Sequence, residues 1–442
     1  MKNRFKGKKF TVMGLDGAGR GIKDVRYLLQ NRAGVIGTDL KSEEELPEAV
    51  ALAKKFSNLK LILGKHRLGD FKHRDFVIRA ALAPLDSPYL AEARRNGIPI
   101  VSDETFFLLN APKIFTIGVT GTRGKTTVTH MVAEILTETG RRVFLGGNVQ
   151  DMALLPLLGE VCDGDVVVME LDSWKLQSFA ENKISPQIAI FTTFFPDHLN
   201  YYKGDLERYW EDKSAIFKNQ RPGDVLIVSQ QVAGTMKKQG YKLAQKFIIA
   251  QKLPPEWSLK VLGAHNRQNA GLALDVARKL GVSDEVSRRA LEGFKGVPGR
   301  LECIGEHRGI KFYNDTTATT PEGVMAALRS FPKYKKKIVL IAGGSDKGLM
   351  YDGMMGVVVE YCRALVLLPG TATEKISKSE YLNPKQIPTT KAQDMKEAME
   401  EAMNVAAPDD IIILSPGAAS FGIFKNEYDR GDQFTTLFKR LE

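Results

Sequence analysis

The chain is predicted to be an α/β protein of three domains built on mostly parallel sheets, and three observations predict it. Its 442 residues are about three times a typical domain length, so a single core would be unusual. Apolar runs of strand length alternate with stretches of helical pattern along the sequence, as βαβ units require. The runs ending near Met13 and Val119 each lead into a glycine-containing turn, at the kind of strand end where α/β sheets place ligands. With 43% hydrophobic and 26% charged residues, the composition is that of a globular chain and not a disordered one.

The first domain, 1–112, opens with a strand at 10–13, a glycine turn at 14–21, a helix at 22–30 and a strand leading to Asp39. The turn Gly14-Leu15-Asp16-Gly17-Ala18-Gly19 approximates a dinucleotide fingerprint but lacks its G-x-G-x-x-G spacing. Backbone amides at a helix start can receive a phosphate, and Asp39 can hydrogen-bond a sugar or base. A tight turn with no ligand is the alternative, and these residues alone leave it open. Apolar runs at 76–78 and 98–101 continue the alternation until Asn110-Ala111-Pro112 interrupts it.

The second domain, 113–297, begins with a strand at 114–119, followed by buried-strand candidates at 166–169, 188–191 and 225–228. The third, 298–442, starts after the Gly296-Val297-Pro298-Gly299 tract, with strands at 338–342, 364–368 and 411–414 and a helical pattern at 395–405.

Cys162, Cys303 and Cys362 are far apart without C-x-x-C spacing, so neither a zinc site nor a disulfide framework is predicted, and a reducing, cytoplasmic setting fits. The basic N-terminus runs into a strand without an apolar leader segment. No run approaches 18 apolar residues, which predicts no membrane span. The net charge of +11 is scattered, and its densest run, at 333–337, precedes a strand. It therefore points to attraction of anionic small molecules and not to nucleic acid.

The phosphate loop carries the most chemistry. Thr120-Gly121-Thr122-Arg123-Gly124-Lys125-Thr126-Thr127 lies between an apolar strand and a helical pattern at 128–137, the context such a loop needs. Gly121 and Gly124 let amides approach phosphate oxygens, Lys125 offers a point charge, and the Thr126 hydroxyl can ligate Mg²⁺. The strict G-x-x-x-x-G-K-[ST] pattern fails, because Val119 stands where its first glycine would be.

Glu170 follows the strand at 166–169. It is placed either to complete a Mg²⁺ site or to cap the next helix. The strand at 188–191 leads to Asp197-His198, again beyond a carboxyl end, which favours a site over a structural histidine. Lys213 sits in a helical stretch at 206–217, where a lysine is ordinarily a solvated surface residue.

In this order, T-G-T-x-G-K-T-T, Glu170, Asp197-His198, Lys213, His265-Asn266-Arg267-Gln268-Asn269-Ala270, Gly299-Arg300-Leu301-Glu302 and Asn314-Asp315 resemble the Mur ligases over nearly the whole chain. Gly146-Gly147-Asn148, the tract at 414–420, Phe424-Lys425-Asn426 and Arg430-Gly431 are similar to the members that add D-glutamate to UDP-N-acetylmuramoyl-L-alanine. The resemblance implies a Rossmann-like first domain, a P-loop ATPase-like central domain and a Rossmann-like third domain. It implies ATP and Mg²⁺ as cofactors, a monomer acting on a UDP-sugar-linked carboxylate and an amino acid, and a role in peptidoglycan synthesis. Catalysis would proceed through an acyl phosphate with Lys125, His198, Lys213 and Arg300.

By the same resemblance, Gly121, Thr122, Arg123, Gly124, Lys125, Thr126, Thr127, Asn269, Arg300 and Asp315 would bind ATP. Thr126, Glu170, His198 and Lys213, the last as a carbamate, would hold metal. Leu15, Asp16, Asp39 and Asn148 would receive the nucleotide substrate, and Thr319, Lys347 and Ser420 the amino acid.

Several residues depart from the family pattern. Arg123 stands where Asn is usual, Asp172-Ser173-Trp174-Lys175 where Ser-Ser-Phe-Gln is common, Thr317 where a lysine is expected, and Glu427 where an aromatic normally flanks the glutamate. An acid at 427 would repel a carboxylate substrate unless it points away or pairs with a cation. Two competing readings follow. One is a Mur-type amide ligase such as a folylpolyglutamate synthase, which would not need the first domain's nucleotide turn. The other is a nucleotide-binding protein without turnover, which intact Lys125, Glu170, His198, Lys213 and Arg300 oppose.

Overall fold

The computed structural model describes residues 3–15, 20–81, 83–148, 153–240, 247–381 and 387–441, with backbone only at Leu199 and Asn200. They form three sheets. The first contains β1 (Lys9–Met13), β2 (Gly34–Thr38), β3 (Leu59–Ile62), β4 (Phe76–Arg79) and β5 (Ile100–Val101), in the order β3-β2-β1-β4-β5. The second contains β6 (Phe115–Thr120), β7 (Val143–Gly147), β8 (Val166–Glu170), β9 (Ile188–Phe191), β10 (Val225–Val228) and β11 (Phe247–Ile249), in the order β11-β10-β9-β6-β8-β7.

The third contains β12 (Glu302–His307), β13 (Ile310–Asn314), β14 (Ile338–Gly343), β15 (Cys362–Leu368), β16 (Thr389–Lys391) and β17 (Ile411–Leu414), in the order β12-β13-β17-β14-β15-β16. Every pairing is parallel except β12 with β13. The predicted α/β class with mostly parallel sheets is therefore correct. The antiparallel hairpin was not anticipated; its turn uses Arg308 and Gly309, both at positive φ.

Central strands read as continuous apolar runs because helices cover both faces of the sheet. Val166 to Glu170 in β8 are all buried, as are all residues of β14 and β17. In each sheet the strand order reverses beside a central strand: at β1, between β2 and β4; at β6, between β8 and β9; and at β17, between β13 and β14. The crevices beyond these strand ends are where an open α/β sheet accepts ligands.

Contacts group the chain into two compact units, Met1–Leu253 with Gln268–Leu291, and Pro254–Arg267 with Glu292–Glu442. In the first, one apolar cluster runs from Phe5, Phe10 and Phe106 through Leu154 and Leu158 to Phe179 and Trp210. It joins the cores of the first two sheets. In the second, separate clusters cover the two faces of the third sheet. Among the described residues no helix is long and apolar enough to cross a membrane.

Candidate active site

Beyond β6 the chain turns through residues 121–124 and enters the helix Lys125–Thr137. Gly121 has φ +146°, and a Cβ there would lie 2.0 Å from Thr192 Oγ1; Gly124 has φ +86°, and its Cβ would lie 2.5 Å from Asn269 Oδ1. Neither position can carry a side chain without strain. The second contact also places Asn269 against the loop.

The segment after β9 holds the loop open. Thr122 N donates to Thr193 O at 2.7 Å, Arg123 N to Thr193 Oγ1 at 2.9 Å, and Thr122 Oγ1 to Phe195 O at 3.1 Å. Lys125 lies in the helix's first turn with Thr126, which is 8% exposed, and Thr127. Its Nζ reaches back toward Thr122 O at 3.5 Å.

Glu170 ends β8 and is 2% exposed, and its Oε2 is buried with no hydrogen-bond partner among the described residues. The capping alternative belongs to its neighbour. Asp172, not Glu170, caps the helix Ser173–Glu181 by accepting from Lys175 N. An unpartnered carboxylate oxygen inside a protein is costly unless a ligand completes it.

Lys213 is not a surface lysine. It is 2% exposed, donates from Nζ to Gly121 O at 2.9 Å, and lies 4.9 Å from the Tyr209 ring. Burial, followed by the Lys125 charge, lowers its amine to about 7, and Asp172, Asp197 and Glu170 pull the other way. These influences place Lys125, Glu170, Asp197 and Lys213 in one electrostatic neighbourhood. His198 adopts φ +54° and packs against Trp174 at 4.5 Å between ring centroids. Asp197 Oδ2 lies 3.8 Å from both His198 Nε2 and an Arg123 terminal nitrogen, so Arg123 helps hold the His198 loop.

The first unit also has a cavity of about 890 Å³ at the carboxyl ends of β1 and β4, lined among others by Gly14, Arg20, Asp39, Arg79, Asn148 and Lys175. Asp39 accepts from Leu15 N at 2.6 Å and from Lys41 N at 3.0 Å. Arg20 donates to Asn148 Oδ1 at 2.9 Å and to Gly147 O at 3.1 Å. Asp39 and Asn148 thus line one cavity, with Leu15 bound to Asp39 through its backbone, whereas Asp16 lies outside the described residues.

Sequence reasoning missed three cations of this cavity. Arg79 is 1% exposed and donates to Ala81 O and Trp174 O. Lys175, the departure from the family's Gln, is 4% exposed and ion-paired with Glu104; burial lowers its amine to about 8. Arg20 opens the first helix, Arg20–Gln30. A charged residue ending an apolar strand was the available signal for Arg79.

In the second unit, loops at the carboxyl ends of β13, β14 and β17 carry Asp315, Thr319, Lys347 and Ser420, and Arg300 lies in the turn before β12. Asp315 is buried; its carboxylate accepts from Leu301 N at 3.0 Å and from Ser415 Oγ at 2.7 Å. Burial raises it to about 7 against these two hydrogen bonds and Arg300. The Asp315–Leu301 bond fixes the turn containing Arg300. Thr317, in the place of the expected lysine, donates to Gly299 O at 2.9 Å and ties the same turn to the loop. Lys347 Nζ donates to Thr319 Oγ1 at 3.1 Å. Ser420, 3% exposed, follows Ala419, which pairs with Ser345 in the Lys347 loop.

Comparisons with known proteins give a family for the chain. A model for the Mur ligase middle domain matches residues 119–252, and one for the Mur ligase glutamate ligase domain matches 299–417. A UDP-N-acetylmuramoylalanine–D-glutamate ligase from Roseiflexus sp. is 34% identical, covering 98% of this chain and 98% of its own. Among solved structures, the UDP-N-acetylmuramate-alanine ligase of Thermotoga maritima has a TM-score of 0.62 at 20% identity, with 98% of this chain and 100% of that chain covered. A Mur ligase from the same organism in complex with ADP has a TM-score of 0.60 at 14% identity, covering 98% and 97% of the respective chains.

Proposed function

The chain belongs to the Mur ligase family, and we propose that it joins D-glutamate to the carboxylate of UDP-N-acetylmuramoyl-L-alanine in peptidoglycan synthesis, using ATP. The observation that carries the reading is the meeting of the phosphate loop, Glu170 and Lys213 in one unit. The relative named as a D-glutamate ligase supports the choice of substrates, since it matches along 98% of this chain. A folylpolyglutamate synthase would leave the cavity of the first sheet without a purpose. We divide the chain into a nucleotide-substrate domain at 1–112, an ATP domain at 113–297 and an amino-acid domain at 298–442. It works as a cytoplasmic monomer on small molecules, without nucleic acid.

The residues perform the chemistry in two stages. The loop amides and the N-terminus of Lys125–Thr137 hold the ATP phosphates, with Lys125 supplying positive charge to the γ-phosphoryl group as it moves. The acceptor's uridine diphosphate lies in the first sheet's cavity, with its phosphates at Arg20 and the start of Arg20–Gln30 and its nucleoside at Leu15 and Asp39. Asn148 meets the sugar-peptide end, so the carboxylate is presented toward the phosphate loop. A carboxylate oxygen attacks the γ-phosphorus, ADP departs, and an acyl phosphate results. The amino group, having lost a proton, then attacks the acyl carbon, and the tetrahedral intermediate expels phosphate to leave the amide.

By the family resemblance, Arg300, Asn269 and Asp315 would serve ATP, and Thr319, Lys347 and Ser420 would hold the glutamate. Lys347 pairs with a carboxylate while the two hydroxyls orient it.

The site also suits the divalent cation that the family implies. Glu170 has an unpartnered buried oxygen, and Lys213, with its amine at about 7, is substantially neutral at physiological pH and can attack CO₂, releasing a proton and leaving an anionic carbamate. Thr126 and Glu170 would hold one Mg²⁺, and His198 with that carbamate a second; there they would supply Lewis-acid stabilisation of phosphoryl charge.

The test is phosphate release from ATP with Mg²⁺ and UDP-N-acetylmuramoyl-L-alanine, comparing D-glutamate with L-glutamate and other amino acids. Release that depends on D-glutamate is expected; release indifferent to it would overturn the assignment.

A further inference from the structure

Arg430 is fully buried in the first turns of the helix Glu427–Lys439, and its acceptors are in loops and not in the core. Its Nε donates to Thr316 Oγ1 at 3.1 Å, one terminal nitrogen to Thr316 O at 2.7 Å and the other to Ala418 O at 3.2 Å. Thr316 Oγ1 passes its own proton to Glu427 O at 2.6 Å. Thr316 is therefore gripped through both its hydroxyl and its carbonyl. Thr316 is three residues before Thr319, and Ala418 two before Ser420.

The same loops are linked by further bonds. Gly417 N donates to Ala318 O at 2.8 Å, and Ser345 and Ala419 exchange backbone bonds of 2.9 and 3.0 Å. Lys347 Nζ closes the ring on Thr319. The helix can approach this closely because residue 431 is glycine: a Cβ there would lie 2.6 Å from Thr316 Cγ2.

We propose that Arg430 is the positioning residue of the amino-acid site, setting the spacing between the loop bearing Thr319 and the loop bearing Ser420. The proposal rests on the reading that these hydroxyls and Lys347 receive the amino acid. A planar guanidinium can serve three acceptors in fixed directions, which an ammonium cannot reproduce. Burial lowers the Arg430 guanidinium to about 10, and Glu427 opposes that shift.

The experiment compares wild type with Arg430→Lys and Thr316→Val, measuring KM for ATP and for the amino acid, kcat, and amide exchange at Gly417 and Ser345. Arg430→Lys should raise the amino-acid KM about tenfold, the scale of a small misplacement of binding groups, while the ATP KM stays within about twofold. Thr316→Val, which keeps the carbonyl acceptor, should have a smaller effect in the same direction and stands in if the first variant does not fold. Exchange at Gly417 should accelerate in both.

Equal changes in both KM values, or unchanged Gly417 exchange, would overturn the proposal. If wild type proves to use another amino acid, the substrate reading fails, but the KM comparison runs with that amino acid and the exchange comparison needs no substrate.

Discussion

Replacing Lys213 with methionine should abolish turnover yet stabilise the metal-free protein. The wild-type amine is lowered to about 7, first by burial and then by Lys125, while an unfolded lysine keeps its ordinary value. Between these values the unfolded chain holds the proton and the folded chain does not, so stability rises with pH across that window. Below it both states are protonated and the folded protein carries the full penalty, on the order of 5 kcal/mol. Methionine removes this penalty and also the hydrogen bond to Gly121 O, a loss of about 1–2 kcal/mol. The variant should therefore be about 3–4 kcal/mol more stable at pH 6, an advantage shrinking by about 1.4 kcal/mol per pH unit above 7. Urea unfolding at pH 6, 7.5 and 9, in bicarbonate-free buffer with chelator, measures this. A wild type more stable at pH 6, or a difference that ignores pH, would refute the reasoning.

Other perturbations test other parts of the site. Glu170→Gln should lower kcat at saturating Mg²⁺ by at least about a hundredfold without lowering the melting temperature of the metal-free protein, because Oε2 has no protein partner to lose; full activity at raised Mg²⁺ would argue against its role. Gly121→Ala should cost about 2 kcal/mol or more, since its Cβ would meet Thr192 Oγ1; calorimetry showing no loss would contradict this. Burial raises Asp315 to about 7, so the folded protein retains a proton that the unfolded chain releases from the ordinary carboxylate range upward, and stability falls as pH rises through that window. Asp315→Asn should flatten this fall in matched unfolding series between pH 4 and 7, and parallel slopes would refute the burial argument. Lys347→Met should raise the amino-acid KM and leave the ATP KM in place, as initial-rate kinetics would show.

The phosphate loop was legible because its function is local. Glycines, Lys125 and Thr126 act through backbone geometry within a few residues of one strand end. Strand positions were similarly legible where both faces are covered, as at β9, β10 and β17, whose bounds matched the apolar runs. The hairpin of β12 and β13 was less so, because β12 is partly exposed and presents no continuous apolar run.

Lys213 needed a third dimension. Tyr209 and Phe217 lie four residues either side of it and are buried, so the helical period placed it on the apolar face; its type concealed that. Arg79, Lys175 and Arg430 were illegible for a different reason. Their partners, such as Trp174, Glu104 and Thr316, lie 71 to 114 residues away, and only the folded topology brings them together. The departure Thr317, ambiguous as a letter, became interpretable once its hydrogen bond to Gly299 was seen.

In the proposed reaction the acceptor's carboxylate is activated by ATP before the amine attacks. Supplying UDP-N-acetylmuramoyl-L-alanine with its carboxylate labelled by ¹⁸O, together with ATP, Mg²⁺ and D-glutamate, and analysing the released phosphate by mass spectrometry tests it most directly. One ¹⁸O atom should be carried from the carboxylate into phosphate for each amide formed. Amide formation with unlabelled phosphate would contradict it.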